Sequence, residues 1–212
     1  MVFGFAIMLF AQPATAGSYL DFNMDGIHPD TANISFAGGA SPLVGIDISV
    51  DSVAGIDTPA NAGSYLIITG GILDFTTGNL ISSTNNVWVF GGGGSITLSG
   101  NIGNGVVDLM SGQFSSATVE ARGDTFRVTI ASFTDSKNDA LVRYFGFSPL
   151  LIDSWYGNMN LSFNTTAMPP SGFESSNVGS GDIMNNPIPE PGTLLLLGGG
   201  LLAVCAFVRR RK

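Results

Sequence analysis

The chain has 212 residues, of which 44% are hydrophobic and only 11% charged, and 29 of them are glycine. Residues 17–189 contain fifteen acidic side chains against four cations, a net charge of −11 that repels nucleic acid and excludes a nucleic-acid-binding role. The single cysteine, Cys205, lies close to the C-terminus, so disulfide bonds and thiol chemistry are excluded from the rest of the chain. This composition is typical of a secreted, β-rich protein with many turns.

An apolar segment at residues 2–10 opens the chain. It leads to Ala14-Thr15-Ala16, the small-x-small pattern that signal peptidases cleave. Because the segment is too short for a stable membrane-spanning helix, it predicts a helical signal peptide over residues 1–16, with cleavage after Ala16. The folded body is then expected at residues 17–164.

The segment that follows contains the pattern D-x-N-x-D-G, which begins many calcium-binding loops. Its oxygen-bearing side chains are Asp21, Asn23 and Asp25. Position twelve of such a loop is Ala32 instead of a carboxylate, and Asp30 is the nearest acidic residue that could replace it. The predicted calcium ligands are therefore Asp21, Asn23, Asp25 and Asp30. The alternative is an Asx-rich turn that binds no metal.

Residues 33–163 consist of short segments in which apolar and polar residues alternate, such as Val44–Val50, separated by glycine-rich turns. About ten strands at regular spacing of roughly ten residues predict an all-β, antiparallel β-sandwich or jelly-roll-like body. The glycine-rich runs leave a β-solenoid as the alternative.

Local patterns make four further predictions about secondary structure. Gly70-Gly71 and Gly91–Gly94 are expected to form the turns of two β-hairpins. Residues 141–147 are expected to form a strand. Residues 165–188 lack alternation and are rich in Pro, Gly, Ser and Asn, so they are expected to form a flexible linker.

Chemistry-bearing residues are few before the C-terminal tail. His28 is the only histidine, and no G-x-S-x-G motif is present, so we expect a non-enzymatic protein. A two-carboxylate glycosidase remains a weaker alternative, because acidic residues are plentiful. Trp155 and Tyr156 are adjacent, so one of them points outward from a strand. They form a candidate glycan-binding site, with burial in the core as the alternative.

The last 24 residues have three parts in a fixed order. Pro189, Glu190 and Pro191 come first, and the prolines hold this tripeptide extended. An uncharged run at residues 193–208 follows and predicts a transmembrane helix. The chain ends in a basic stop that favours a cytoplasmic location for this end and places the body outside; its residues are Arg209, Arg210, Arg211 and Lys212.

This order of elements resembles the PEP-CTERM sorting signal of Gram-negative bacteria. The resemblance implies that an exosortase-like membrane protease or transpeptidase recognises Pro189-Glu190-Pro191 and removes the tail. It also implies a precursor anchored in the inner membrane and a processed protein at the cell surface or outside the cell. The alternative is an ordinary C-terminal membrane anchor with a chance Pro-Glu-Pro.

The body loosely resembles the uncharacterised Gly/Ser/Asn-rich β domains that precede such tails, in stretches such as residues 71–80 and 91–98. The expected function is a structural component of the extracellular matrix or biofilm. A carbohydrate-binding module that recognises exopolysaccharide is the competing hypothesis.

Overall fold

The computed structural model describes residues 17–188, except residues 25, 85, 124, 152, 154 and 166–170. It contains a short α-helix α1, Asp139–Tyr144, and a 3-10 helix, Pro149–Leu151. Its thirteen strands are β1 Tyr19–Asn23, β2 Asn33–Phe36, β3 Pro42–Ser49, β4 Ser52–Ile56, β5 Tyr65–Ile67, β6 Thr69–Thr84, β7 Val87–Phe90, β8 Gly93–Asn101, β9 Val106–Arg122, β10 Thr125–Lys137, β11 Trp155–Asn164, β12 Phe173–Ser175 and β13 Val178–Pro187.

All strand pairs in this structure are antiparallel, which confirms the predicted all-β class. The order of hydrogen-bonded strands is β12-β2-β3-β6-β7-β9-β10-β11-β13-β1-β4-β5, and β8 also pairs with β6 and β9. Most of these strands alternate between buried and exposed positions; β11 shows this along its full length. One apolar face per strand is what a body built from a folded sheet requires.

A long, bent hairpin connects the β4-β5 end of this series to β3 and β6, which lie near its other end. The strand β3 continues almost directly into β4, and β5 into β6, so β3 pairs with β6 while β4 pairs with β5. Hydrogen bonds carry the pairing across the bend: Val50 N donates to Gly71 O at 3.0 Å, and Ile68 N donates to Asp51 O at 2.8 Å. The sheet therefore folds over and encloses its apolar face.

Aromatic contacts show that the two layers meet across one core. The ring of Phe173 on β12 lies 5.7 Å from the ring of Phe163 on β11 and 6.2 Å from that of Phe126 on β10. These strands are far apart in the hydrogen-bonded order, so the contacts join opposite layers. Each large apolar side chain buried in this core contributes about 1.5–3 kcal/mol.

Both predicted glycine hairpins are wrong. Gly70 and Gly71 lie inside β6. Gly70 has a positive φ of 60°, and the register between β6 and β8 shifts at this point. The strands β7 and β8 do not pair with each other. Both run antiparallel to β6 and β9 and lie between them. The glycine run Gly91–Gly94 is therefore an irregularity between two consecutive strands that occupy the same position in the sheet. Glycine permits the unusual backbone angles, and the neighbouring strands decide between a turn and a bulge.

Two other local predictions are also wrong. The expected strand at residues 141–147 is largely helix α1, whose first turn is capped by Asn138, since its side chain accepts a hydrogen bond from Ala140 N at 2.9 Å. The expected linker at residues 165–188 contains β12 and β13. Hydrogen bonds to β11 on one side and β1 on the other make β13 an interior strand. The composition indicated a linker because the segment lacks strand alternation. A strand between two neighbours is stabilised by those partners, and a local sequence pattern does not show them.

Two predicted helices, the signal peptide at residues 1–16 and the C-terminal apolar run, lie outside the described residues. Within the ranges that the structure does describe, no helix is long and apolar enough to cross a membrane.

Candidate functional site

The C-terminal tail leaves the body directly from a central strand. Pro187, the last residue of β13, is paired with Trp155 of β11. Ile188 follows with 44% of its surface exposed, and the predicted tripeptide begins at the next residue. The tripeptide Pro189, Glu190 and Pro191 and the basic stop lie outside the described residues, as do Ala14 and Ala16 of the predicted signal-peptide cleavage site.

A polar cleft of about 270 Å³ lies on the outer face of four neighbouring strands, β10, β11, β13 and β1. The strand register explains how it forms. Asn160 of β11 is opposite Asp182 of β13, and Asp182 is opposite Asn23 of β1. The cleft is lined by Asp21, Asn23, Arg127, Asn160, Ser180, Gly181 and Asp182.

Hydrogen bonds hold the floor of this outer cleft in place. The side-chain amide of Asn160 donates to the carboxylate of Asp182. Two residues further along β11, the Ser162 hydroxyl donates to Ser180 O at 2.9 Å. The cleft carries the carboxylates of Asp21 and Asp182 and the exposed guanidinium of Arg127. It therefore offers both hydrogen-bond donors and acceptors to a neutral polar ligand.

The predicted calcium ligands are not brought together as a loop. Asp21 and Asn23 occupy alternate positions of β1, which is extended and paired on both sides. Asp30 lies exposed in the turn before β2, and Asp25 is outside the described residues. The prediction that Asp21 and Asn23 lie in the first part of a calcium-binding loop is therefore wrong, because both belong to an extended strand. No group of three His, Cys, Asp or Glu residues placed to hold a metal occurs among the described residues. Calcium binding itself stays a prediction.

The two aromatic residues proposed to bind glycan have different environments. Trp155 is fully buried, and its ring packs edge-on against Phe147 at 5.0 Å, so its prediction as a ligand contact is wrong. Tyr156 is 40% exposed and points to the outer face. Asn160 lies four residues further along the same strand and face, about 13 Å away. Of the two aromatic candidates, only Tyr156 is exposed, and a polar cleft lies on the same face of the same strand.

Sequence patterns did not single out Arg127, Asn160, Ser180 or Asp182 as site residues. They come from β10, β11 and β13, and only strand register makes them neighbours. The period-two alternation of β11 was the available signal, because it placed Asn160 on the same outward face as Tyr156.

Comparison with known protein families gives a match at the C-terminal end of the chain. Residues 187–212 match the model of the PEP-CTERM protein-sorting motif. No curated protein and no solved structure matches the chain. The motif confirms the predicted sorting signal and implies an exported protein whose membrane-anchored precursor is processed by an exosortase-like membrane enzyme before the protein reaches the surface.

Proposed function

We propose that this exported PEP-CTERM protein is a non-enzymatic structural component of the extracellular matrix or biofilm of a Gram-negative bacterium. The observation that carries the proposal is the position of the sorting motif, which starts at the end of the interior strand β13. The folded β body is then what the sorting route delivers to the surface.

The distance between motif and body supports delivery of an intact body. Two residues span at most about 7 Å, so Pro189 begins within that distance of Pro187. Cleavage near Glu190 removes only residues beyond β13 and leaves every described strand in place. At the other end, Leu20 of β1 is opposite Asn185 of β13, so both chain ends leave the body on adjacent strands. The two predicted processing events therefore cut outside the folded sheet.

The intact mass of the protein recovered from the medium and from membranes of its host tests the sorting step. We expect loss of the tail near Glu190 in cells with the exosortase-like enzyme and the full tail in cells without it. Glu190→Ala should retain the full-length form in the membrane. Glu174→Ala is the matched control, since Glu174 lies within β12 and should leave processing unchanged. Processing of Glu190→Ala at the normal rate would contradict recognition of the tripeptide.

Deletion of the gene tests the matrix role separately from the sorting step. We expect a weakened biofilm or surface layer that is restored by the wild-type protein, and not by Glu190→Ala. A normal biofilm in a deletion strain whose exosortase-like enzyme is active would contradict the structural role while leaving sorting intact.

A second candidate function is exopolysaccharide binding on the outer face. The observation that favours it is the placement of the exposed ring of Tyr156 on the same strand and face as the polar cleft. An aromatic face stacks on a sugar ring, and the cleft supplies amide, carboxylate and guanidinium groups for sugar hydroxyls. The two features together span about 13 Å along the strand.

Retention on exopolysaccharide isolated from the host distinguishes this candidate from a purely structural role. Tyr156→Ala and Asn160→Ala should each reduce retention by about tenfold, corresponding to roughly 1.4 kcal/mol. Tyr65→Ala is the matched control, because Tyr65 is 67% exposed on β5, outside the cleft. Absence of saturable binding by the wild-type protein would reject this candidate and leave the structural role untouched.

A further inference from the structure

A second polar cluster lies inside the body, on the opposite face of the sheet from the cleft. It consists of Asp135 and Lys137 on β10 and Asn185 on β13. The residues are 5%, 3% and 0% exposed, and the side chains of Asp135 and Lys137 are fully buried. Charged side chains are almost never buried to this degree unless they are paired. The cluster therefore needs a specific physical explanation.

The carboxylate of Asp135 joins the other two side chains. Lys137 Nζ contacts Asp135 Oδ1, and Asn185 Nδ2 donates to Asp135 Oδ2 at 2.6 Å. The amine and the amide thus sit at the two oxygens of one carboxyl group. Among the described residues, Asn185 Oδ1 has no hydrogen-bond partner although it is buried. A buried amide oxygen without a hydrogen-bond donor costs about 1–3 kcal/mol of stability.

Aromatic rings enclose Lys137 in the core. Its Nζ lies 5.2 Å from the ring of Trp155 and 5.9 Å from the ring of Phe22. Burial away from water lowers the pKa of Lys137 well below its ordinary value. A lysine that has lost its proton in an apolar pocket is an activated nucleophile.

Glycines on the neighbouring strands make room for the cluster. A Cβ at Gly157 of β11 would overlap the Phe133 ring and the amide nitrogen of Asn185, and one at Gly112 of β9 would overlap the Thr134 carbonyl and the Asp135 side chain. The register places Gly157 opposite Asn185 and Gly112 opposite Asp135. These two glycines leave the space that the side chains of Asp135 and Asn185 occupy in the core.

We propose that Lys137 and Asn185 form an intramolecular isopeptide bond, with Asp135 as the catalytic acid and base. The bond connects β10 to β13 across the intervening strand β11. Lys137 supplies the nucleophile, Asn185 supplies the acyl carbon, and Asp135 contacts both.

The reaction is balanced without an oxidant or a cofactor. The Lys137 ammonium first transfers a proton to Asp135, which leaves a neutral amine beside a neutral carboxyl. Rotation of the Asn185 amide brings Oδ1 to that carboxyl, which donates a hydrogen bond and polarises the carbonyl. Lys137 Nζ attacks Asn185 Cγ and forms the new C–N bond. Asp135 passes the proton released by the attacking nitrogen to Nδ2, the Cγ–Nδ2 bond breaks, and ammonia leaves.

The position of the bond matters for a protein processed at its C-terminus. The strand β13 leads directly into the sorting motif, so any pull on an attached C-terminus acts first on β13. A covalent link from Asn185 to β10 would hold this strand in the sheet. The folded body contains no cysteine, so disulfide bonds cannot supply such a link. The proposal does not depend on the matrix role.

The intact mass of the full-length protein, purified in detergent from membranes of host cells that lack the exosortase-like enzyme and then unfolded, is the first test. We expect a mass lower than that of the sequence, after signal-peptide removal, by one ammonia. Trypsin should then yield one branched species that carries both Lys137 and Asn185. Cleavage after Arg143 separates these residues unless they are covalently joined, and trypsin does not cut after an acylated lysine.

Matched variants identify the atoms involved. Asn185→Ala and Asp135→Ala should both restore the full sequence mass, whereas Asn186→Ala, at the adjacent outward position, should still lose one ammonia. The full sequence mass in the wild-type protein overturns the proposal, whether or not Asp135→Ala folds. Loss of ammonia without a branched species would indicate cyclisation at an asparagine and would also overturn it. Loss of water instead of ammonia would place the bond on Asp135 and reject Asn185 as the acyl donor.

Discussion

The outer cleft and the inner cluster are two groups of polar residues on the same strands with opposite physical settings. On β13, Asp182 lines the cleft and Asn185, three residues later, belongs to the inner cluster. On β10, Arg127 points outward and Lys137 is buried. The residue types are similar, and the face of the sheet decides whether water surrounds them.

This difference in solvation determines what each group can do. In the cleft, water screens the charges, so they contribute little to stability and remain available to a ligand. In the core, desolvation makes each charge costly unless a partner compensates it. It also converts a lysine from a solvated cation into a reactive amine. The outer cleft is therefore suited to recognition and the inner cluster to covalent chemistry.

The largest expected effect comes from removing the buried carboxylate. Asp135→Ala prevents the bond and leaves the Lys137 amine buried without its polar partner, which should lower the free energy of unfolding by about 3–5 kcal/mol. Asp182→Ala, on the outer face, should cost no more than about 1 kcal/mol. Denaturant unfolding followed by tryptophan fluorescence measures both. Similar losses for the two variants would contradict the distinction between inner and outer polar groups.

The space around the inner cluster gives the second effect. Gly157→Ala places a methyl group against Phe133 and Asn185, and overpacking of this kind costs about 1–3 kcal/mol. Gly91→Ala is the control, because its Cβ would meet its neighbours at ordinary contact distances starting at 3.4 Å. Thermal unfolding should show a lower midpoint for Gly157→Ala and almost no change for Gly91→Ala. A stable Gly157→Ala protein that still loses ammonia would show that the cluster has more room than the structure indicates.

The pH dependence of stability gives a third effect. Burial lowers the pKa of a free Lys137, so between that lowered pKa and the ordinary one the unfolded chain binds a proton that the folded chain does not. The free energy of unfolding then rises with pH across this window. Asn185→Ala, which keeps the free amine beside Asp135, should show that rise. The wild-type protein should lack it, because an acylated lysine does not titrate. Equal slopes in denaturant titrations from neutral to alkaline pH would argue against the bond.

The smallest effect is expected at a surface ion pair. Arg143 Nε donates to Asp139 Oδ2 at 2.7 Å within α1, and the two side chains are 61% and 50% exposed. Water and salt screen this pair, so Arg143→Ala should leave the unfolding midpoint unchanged within error. A loss of stability as large as that of Asp135→Ala would mean that solvent exposure does not determine how much these polar pairs contribute to stability.

The sequence predicted the fold class and the strands whose alternation is strong. Trp155–Phe163 and the strands on either side of Gly123 are present as expected. It was wrong where glycine or polar composition was interpreted locally, at Gly70-Gly71, at Gly91–Gly94 and at β13. Glycine is compatible with both a turn and a bulge, and Gly, Ser and Asn are weak strand formers that neighbouring strands can still hold in a sheet.

The residues of the candidate sites were also predicted from the sequence only in part. Tyr156 was predicted as one of two possible ligand contacts, and alternation alone required that either it or Trp155 point outward. Choosing between them required the core, which encloses Trp155 against Phe147 and Lys137. Asp21 and Asn23 were predicted as partners of Asp30, and the structure places them beside Asp182 instead.

By itself the sequence determined where the protein goes, because a sorting motif is a linear pattern that a membrane enzyme reads in extended form. It also determined the antiparallel β class, because period-two alternation is a local property of the chain. Only the tertiary structure decided which residues meet. The cleft on four strands and the cluster of Asp135, Lys137 and Asn185 both depend on strand order and register, which bring residues about fifty positions apart into hydrogen-bond contact. Register in turn depends on burying one face of every strand at the same time. A single segment of the sequence therefore cannot specify it.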